Sequence, residues 1–258
     1  MSLSATKIKD FKSCRRKYEL KYIEKLAPVQ KAEALEVGTN YHGYLEILNS
    51  GTPLAGNPDY DGIYTKELAM AEAYEKYIYP RFKVKSAEEW VQYEFADGER
   101  LVGRVDAIAE DGQIVEHKSS GLDITESYEY NLLWDEQILA YMLMTGCRRI
   151  HYTVCRKPTI RQTQKESEEE FFKRMVAWYD TDTEKKIRLL EVERTDAEIE
   201  KFRQELDEIK GVIERAEANK EFYRNTCHCN LYGRRCEYSS ICLNYDPSQE
   251  YIEFTKAE

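Results

Sequence analysis

The chain of 258 residues lacks any apolar run long enough to cross a membrane, which excludes a bundle of spanning helices. Its first residues, "MSLSATKIKDFKSC", lack the apolar core of a secretion signal. Both absences predict a soluble, cytoplasmic protein. There is no internal repeat and no low-complexity tract. There is no surplus of positive charge either: the formal net charge is −10. That argues against a general nucleic-acid binder, though binding depends on local patches and not on the total. Basic clusters stand at Arg15–Arg16–Lys17, Arg148–Arg149 and Arg156–Lys157, and each reads first as solvated surface. Seven cysteines are present without an export signal, so metal ligands or free thiols are expected and disulfides are not. The paired C-x-x-C spacing of zinc ribbons is missing as well.

The chain does contain a core. Hydrophobic residues make up 42% of the chain, and charged residues, at 33%, imply much exposed helix. That permits one large domain, or one core with appended helices. Ser4 can cap a helix over residues 4–25, with apolar positions at Ile8, Phe11, Tyr18 and Tyr22. "ALEVGTNYHGYLEILNSG" reads as a second helix ending at Gly51, with His42 and Glu46 four apart on one face. Residues 51–62 read as loop, and 64–79 as a helix stopped by Pro80. "WVQYEF" (90–95), "RLVGRVDAIA" (100–109) and "QIVEHK" (113–118) read as strands separated by Asp-Gly turns. A helix over 129–145 and the strand "RIHYTVC" (149–155) follow. The last hundred residues read as mainly helical, with a short strand near 186–193. A capping box at Thr195 and Glu198 opens a helix with a stripe of Ile199, Phe202, Leu206, Ile209, Ile213 and Ala216.

Asp106, Glu116 and Lys118 interrupt otherwise apolar strands, where unpaired charge is costly. The length of the turn between the strands decides whether the two carboxylates meet. A two-residue loop at Asp111–Gly112 puts Asp106 on the face opposite Glu116. A three-residue loop, Glu110–Asp111–Gly112, pairs 106 with 116, and Gly112 supplies its left-handed position. The Cβ atoms would then be about 5 Å apart, with Lys118 on the same face. Two such carboxylates need a cation between them, and magnesium suits one or two carboxylates plus waters. Glu184–Lys186 and Glu208–Lys210 repeat the E-x-K spacing, so the triplet alone can equally be a strand-edge salt bridge.

The order helix, three strands, helix, strand, with Asp and then E-x-K on adjacent strands, resembles the PD-(D/E)XK nuclease superfamily. "GTNYHGYLE" and "QILAY" narrow the resemblance to its RecB-like, CRISPR-adaptation-like exonuclease branch, bacterial or phage. A lone His on an apolar helix, or Q-x-x-x-Y, is ordinary by itself. The order and gaps of the motifs, over residues 38–141, carry the likeness. The resemblance implies His42, Asp106, Glu116 and the main-chain carbonyl of His117 as ligands of Mg²⁺ or Mn²⁺. It implies Lys118 as the catalytic lysine, with Gln137 and Tyr141 lining the site. The implied fold class is α/β with a mixed sheet: a restriction-endonuclease-like αβββαβ core with added N- and C-terminal helices. The domain organisation expected is a single nuclease domain over 1–258, its core about 35–157, with extensions at 1–30 and 160–258.

The tail "CHCNLYGRRCEYSSIC" resembles the iron–sulfur subset of that branch. There, one N-terminal and three C-terminal cysteines hold a [4Fe–4S] cluster that joins the two extensions. The resemblance implies Cys14, Cys229, Cys236 and Cys242 as ligands, with Cys227 an alternative to Cys229. A zinc site recruiting His228 and free thiols remain open, and Cys147 and Cys155 read as small buried residues. The function implied is a metal-dependent DNA exonuclease acting at single-stranded ends, in recombination or repair, phage DNA processing or CRISPR adaptation. Candidates for contacting DNA are Arg15, Arg16, Lys17, Tyr128, Tyr130 and Trp134. Two readings stand beside it. One is a DNA-end-binding module serving a helicase, recombination, integrase or CRISPR-adaptation partner. The other is an iron–sulfur redox sensor, which leaves the carboxylates unexplained.

Overall fold

The structure is a computed structural model that describes residues 2–29, 33–231, 234–243 and 254–256. Of the expected C-terminal extension, 232–233, 244–253 and 257–258 lie outside the described residues. The chain forms two compact units: Glu33–Gln92 with Gly103–Ile199, and Met1–Ala32 with Tyr93–Val102 and Glu200–Glu258. Residues 160–199, grouped above with an extension, are part of the same unit as the central strands.

The terminal unit opens with β1 (Ser2–Leu3), which pairs parallel with the first residues of β4 (Arg100–Ala109). α1 (Ala5–Ser13) is capped by Ser4, whose hydroxyl accepts the Lys7 N–H. The single helix expected over 4–25 is broken. Cys14 is extended, a short α2 (Arg15–Tyr18) follows, and a π-helical turn covers Glu19–Ile23. The break has a tertiary cause. The Asn225 side-chain amide donates to the Ser13 carbonyl, and the Arg16 N–H donates to the Tyr223 carbonyl, bonds that a continuous helix would have used internally. β2 (Leu26–Pro28) pairs with β10 (Phe254–Lys256). Of the six-residue stripe expected from its spacing, the long α9 (Asp196–Asn219) buries Ile199, Phe202, Leu206, Ile213 and Ala216, and Ile209 is half-buried. β8 (Asn230–Leu231), β9 (Arg234–Arg235) and α10 (Ser239–Leu243) complete this unit.

The core unit is a sheet between two helical layers. β5 (Ile114–Ser120) lies between β4 and β6 (Arg149–Arg156), antiparallel to the first and parallel to the second, and β7 (Ile187–Glu193) runs antiparallel to β6. β3 (Val84–Glu94) pairs with β4. It begins well before the residue 90 expected, because its charged first half hides the alternation. α3 (Glu33–Asn49) and α4 (Lys66–Tyr77) cover one face through Tyr41, Leu45 and Tyr74, which cluster with Cys155 of β6, and α7 (Glu168–Ala177) adds Phe172. The other face is covered through Ile138, Tyr141 and Met142. The helix expected over 129–145 is two, α5 (Glu126–Leu132) and α6 (Glu136–Thr145). Asp135 ends one and caps the other, its carboxylate accepting the Gln137 N–H at 2.9 Å. α8 (Thr183–Lys186) leads into β7. No described helix is long and apolar enough to cross a membrane.

Candidate active site

The turn between β4 and β5 is the three-residue one. Gly112 has φ +83, its N–H returns to the Ala109 carbonyl, and the register sets Ala107 against Val115 and Ile108 against Ile114. The ladder then stops, one residue short of Asp106 and Glu116. A regular continuation would give the His117 N–H a main-chain acceptor on β4. The Asp106 carboxylate takes that place, accepting it at 2.7 Å. Side-chain alternation also slips here. Val105 packs with Tyr141 and Ile138, and Ile108, three residues on, packs against the same cluster, while Ala107 lies with Val115. The register runs toward Asp106 opposite Glu116, as the three-residue turn predicts, but the ladder bonds end before that pair. The strands part at Asp106, and its side chain turns to α3 and to the β5 backbone.

On α3, His42 Nδ1 donates to Asp106 Oδ1 at 3.2 Å. Burial alone would push Asp106 upward. The His42 bond, the nearby positive potential of the histidines and the His117 N–H outweigh it and hold the carboxyl at about 2. Glu116 behaves oppositely. It is 2% exposed, and burial, reinforced by the Asp106 charge, pushes it up to about 7 despite the Lys118 ammonium. Lys118 bonds Glu116 Oε1 and donates to Gln137 Oε1 at 3.0 Å. The Gln137 amide donates to the Tyr141 hydroxyl at 2.8 Å, which donates to the Arg104 carbonyl at 2.8 Å. The residues of "GTNYHGYLE", "VDAIA", "EHK" and "QILAY" thus form one connected set.

His117 itself points the other way. Its Nδ1 meets Thr153 Oγ1 at 2.7 Å and its Nε2 meets the Asn49 amide at 3.3 Å, while burial lowers it to about 4 and keeps it neutral. The Tyr74 ring stands edge-on at 5.1 Å. This ring is scaffold, and it fixes the β5 backbone beside Asp106.

Two residues near the site escaped the sequence reading. Arg104 is two before Asp106, a spacing that could have marked it. Its Nε pairs with Glu88 at 2.6 Å and its Nη2 stands 3.9 Å from Glu46. Glu88 carried no signal. It sits in β3 with φ +56, a local irregularity that no sequence pattern announces.

Among the described residues no three His, Cys, Asp or Glu side chains converge as a preformed metal site. The donor set nevertheless fits a divalent cation on one specific ground. Glu116 Oε2 is buried and has no hydrogen-bond partner, an arrangement that is costly for a carboxylate. Hard carboxylate oxygens with one imidazole suit magnesium or manganese.

None of the seven cysteines is in a disulfide. Cys14 and Cys229 bracket Asn225: its N–H reaches Cys14 Sγ at 3.3 Å, and Cys229 Sγ lies 3.8 Å from its carbonyl oxygen. The Cys236 N–H bonds the Cys229 carbonyl. Burial pushes the Cys242 thiol up, and Cys14 and Cys229 add to it. Cys236 is raised by burial, with Cys242 contributing. Cys227 is exposed. Cys155 is buried, as expected, whereas Cys147 is half-buried.

The basic and aromatic candidates are dispersed. Arg16 pairs with Glu19 and Glu24, and Lys17 with Asp10 and Glu237. Arg15 lies over the Phe11 and Tyr223 rings. Tyr128 is partly buried, its hydroxyl 3.5 Å from that of Tyr152. Tyr130 and Trp134 are exposed and edge-to-face at 6.2 Å. Arg148 and Arg149 are paired with Asp196 and Glu193.

Comparison with known proteins bears on the whole chain. Curated proteins yield no match. Among solved structures, that of a proposed exonuclease from Eubacterium rectale has a TM-score of 0.53 at 15% identity, covering 98% of this chain and 91% of its own. A phage-related exonuclease from Haemophilus somnus has a TM-score of 0.45 at 13% identity, covering 85% and 96%. An alkaline exonuclease from Laribacter hongkongensis has 0.37 at 15%, covering 85% and 93%. The first shares the fold. A family model described as the PD-(D/E)XK nuclease superfamily matches residues 2–243, which takes in β4, β5, α3 and α6, and the chain belongs to that superfamily.

Proposed function

We propose that the protein is a metal-dependent DNA exonuclease that hydrolyses phosphodiester bonds at single-stranded ends. The observation that carries this reading is the buried, partnerless Glu116 Oε2 beside Asp106 and Lys118. His42, Asp106, Glu116 and the His117 carbonyl would hold Mg²⁺ or Mn²⁺. When bound, the cation supplies neutralisation of phosphate charge and makes water more acidic.

The chain's own residues do the rest. A lysine ammonium has three donors, and Lys118 uses two, on Glu116 and Gln137. The third is available to orient a water or to meet a phosphate oxygen as negative charge develops. Gln137 and Tyr141 restrict the rotation of Lys118. His42 keeps Asp106 ionised. Tyr130 and Trp134, exposed beside the start of α6, offer rings on which bases can stack.

We further propose that Cys14, Cys229, Cys236 and Cys242 hold a [4Fe–4S] cluster as a structural clasp. The support is that residues over two hundred positions apart in sequence approach one another around Asn225.

The test is a cleavage assay on end-labelled single- and double-stranded DNA. With Mg²⁺ or Mn²⁺ the parent is expected to shorten the single strand from an end. Lys118→Ala and Asp106→Ala are expected to lose about 10²–10³-fold in rate or more. Equal rates in parent and variants would sink the assignment of the site. A DNA-end-binding module would bind the same substrates and leave them intact.

A further inference from the structure

The proposed site is acidic. Glu46, Glu88, Asp106, Glu116 and Asp135 outnumber Lys118 and Arg104, so before a cation binds it repels phosphate. A chain of net charge −10 that acts on DNA must hold the strand with cations gathered elsewhere. Of the arginines and lysines singled out in the sequence, Arg16, Lys17, Arg148, Arg149 and Arg156 are matched by carboxylates, and Arg15 lies over the Phe11 and Tyr223 rings.

Within the terminal unit there is a cavity of about 650 Å³ with a different balance. Arg16, Glu19, Lys220, Phe222, Tyr223 and Arg224 line it. Arg16 and Glu19 cancel each other. Lys220 and Arg224 are exposed and have no carboxylate partner among the described residues, and the Arg224 guanidinium bonds only the Cys242 carbonyl there. Tyr223 is 63% exposed. The Arg15 guanidinium lies over the ring at 4.8 Å, and the ring lines the cavity.

The segment is held rigidly. Phe222 stacks on the buried Tyr18 at 6.4 Å. The Tyr223 carbonyl accepts the Arg16 N–H at 3.2 Å, and Asn225 is tied to Ser13 and Cys14. Lys220 is set by a left-handed backbone, φ +57, where α9 ends. An exposed aromatic ring flanked by cations that no described carboxylate pairs, on a backbone already ordered, is what a single-stranded nucleic acid requires: a stacking platform and charges along the phosphates.

We propose that this cavity binds a single-stranded DNA segment, with a base stacked on Tyr223 and phosphates on Lys220 and Arg224. The proposal rests on the nuclease reading for the identity of the ligand. It is tested without cleavage, using the full-length protein in chelator and a fluorescein-labelled oligo-dT followed by anisotropy over a range of salt. Tyr223→Ala is expected to weaken binding about ten-fold, whereas Tyr223→Phe binds like the parent. Lys220→Ala and Arg224→Ala are each expected to weaken it several-fold and to reduce the slope of log affinity on log salt by about 0.7.

Thermal melting controls for folding, and Tyr223→Phe keeps the packing. The proposal is overturned if the parent does not bind, or if Tyr223→Ala and Lys220→Ala match the parent in affinity and slope. Duplex binding as tight as single-strand binding, with Tyr223→Ala neutral, overturns it too. So does displacement by poly-glutamate as effective as displacement by unlabelled oligo-dT. Binding that depends on Tyr223 without any cleavage on adding Mg²⁺ supports the cavity and removes the catalytic reading instead.

Discussion

Glu116 is the residue whose state decides what the site can do. Its folded pKa of about 7 lies above the ordinary carboxylate value, so the folded protein binds the proton more tightly than the unfolded chain does. That contribution to stability is fully present below about pH 4.5 and is lost as pH rises through about 7. The melting temperature of cation-free protein is therefore expected to fall by several degrees between pH 5 and 8. A divalent cation competes with the proton, so Mg²⁺ or Mn²⁺ is expected to raise the melting temperature more at pH 8 than at pH 6. Glu116→Gln is expected to abolish both effects and to melt above the cation-free parent at pH 8. Calorimetric scans at the two pH values check this, and a Glu116→Gln variant stabilised by Mg²⁺ like the parent would refute it. Two glycines separate conformation from packing. Gly112 has φ +83 and nothing within 4 Å of an added Cβ, so Gly112→Ala is expected to cost about 1 kcal/mol with the turn otherwise intact. At Gly103 the added Cβ would meet the Tyr141 ring at 2.8 Å. Gly103→Ala is expected to displace Tyr141 and lower kcat several-fold, a kinetic defect that Gly112→Ala does not share.

Two breaks in regular elements build the site. β4 slips its alternation around Asp106, which frees the carboxylate to accept the His117 N–H and to meet His42. The break between α5 and α6 re-aims the second helix so that Gln137 meets Lys118. Asp135 maintains that break as the N-cap of α6, so Asp135→Ala is expected to cost about 1 kcal/mol of stability and to loosen Gln137 and Tyr141 together. Asp135→Asn, which still caps, is expected to restore both. Urea midpoints and cleavage rates of the two variants check it, and an Asp135→Ala protein as stable as the parent would show that the cap contributes nothing. Neither break follows a periodic pattern. The same residues that read as one helix or one strand by spacing are parted by a local acceptor, Asp135 in one case and the Asp106 carboxylate in the other.

At the scale of the molecule, the terminal unit draws residues from both ends of the chain and from the 93–102 segment. Its core is the buried face of α9 with Tyr18 and Phe11, and β2 with β10 ties the two ends by a short ladder. A cluster on Cys14, Cys229, Cys236 and Cys242 would close the same long loop, which constrains the unfolded chain strongly. Protein purified without oxygen is expected to be brown, with about four iron and four sulfide per chain. Cys14→Ser is expected to lose the colour and to melt at lower temperature, and Cys227→Ser to keep both. Stoichiometric zinc without iron would overturn the cluster.

The local pattern alone was enough to read much of this. Alternation and turn chemistry located β4, β5, β6 and β7. The odd-length turn follows from Gly112, because only a residue free at positive φ closes it. The superfamily was legible because its motifs are short, ordered and chemically unusual: Asp and Glu-x-Lys in apolar strands, His on a buried helix face. Tertiary structure decided the rest. The sequence predicts Asp106 beside Glu116, but where the strands part is set by α3 and by a backbone N–H eleven residues away. The break at Cys14 depends on Asn225, and that no described carboxylate pairs with Lys220 or Arg224 depends on which side chains come near. Such features are properties of pairs distant in sequence, and spacing along the chain carries no record of them.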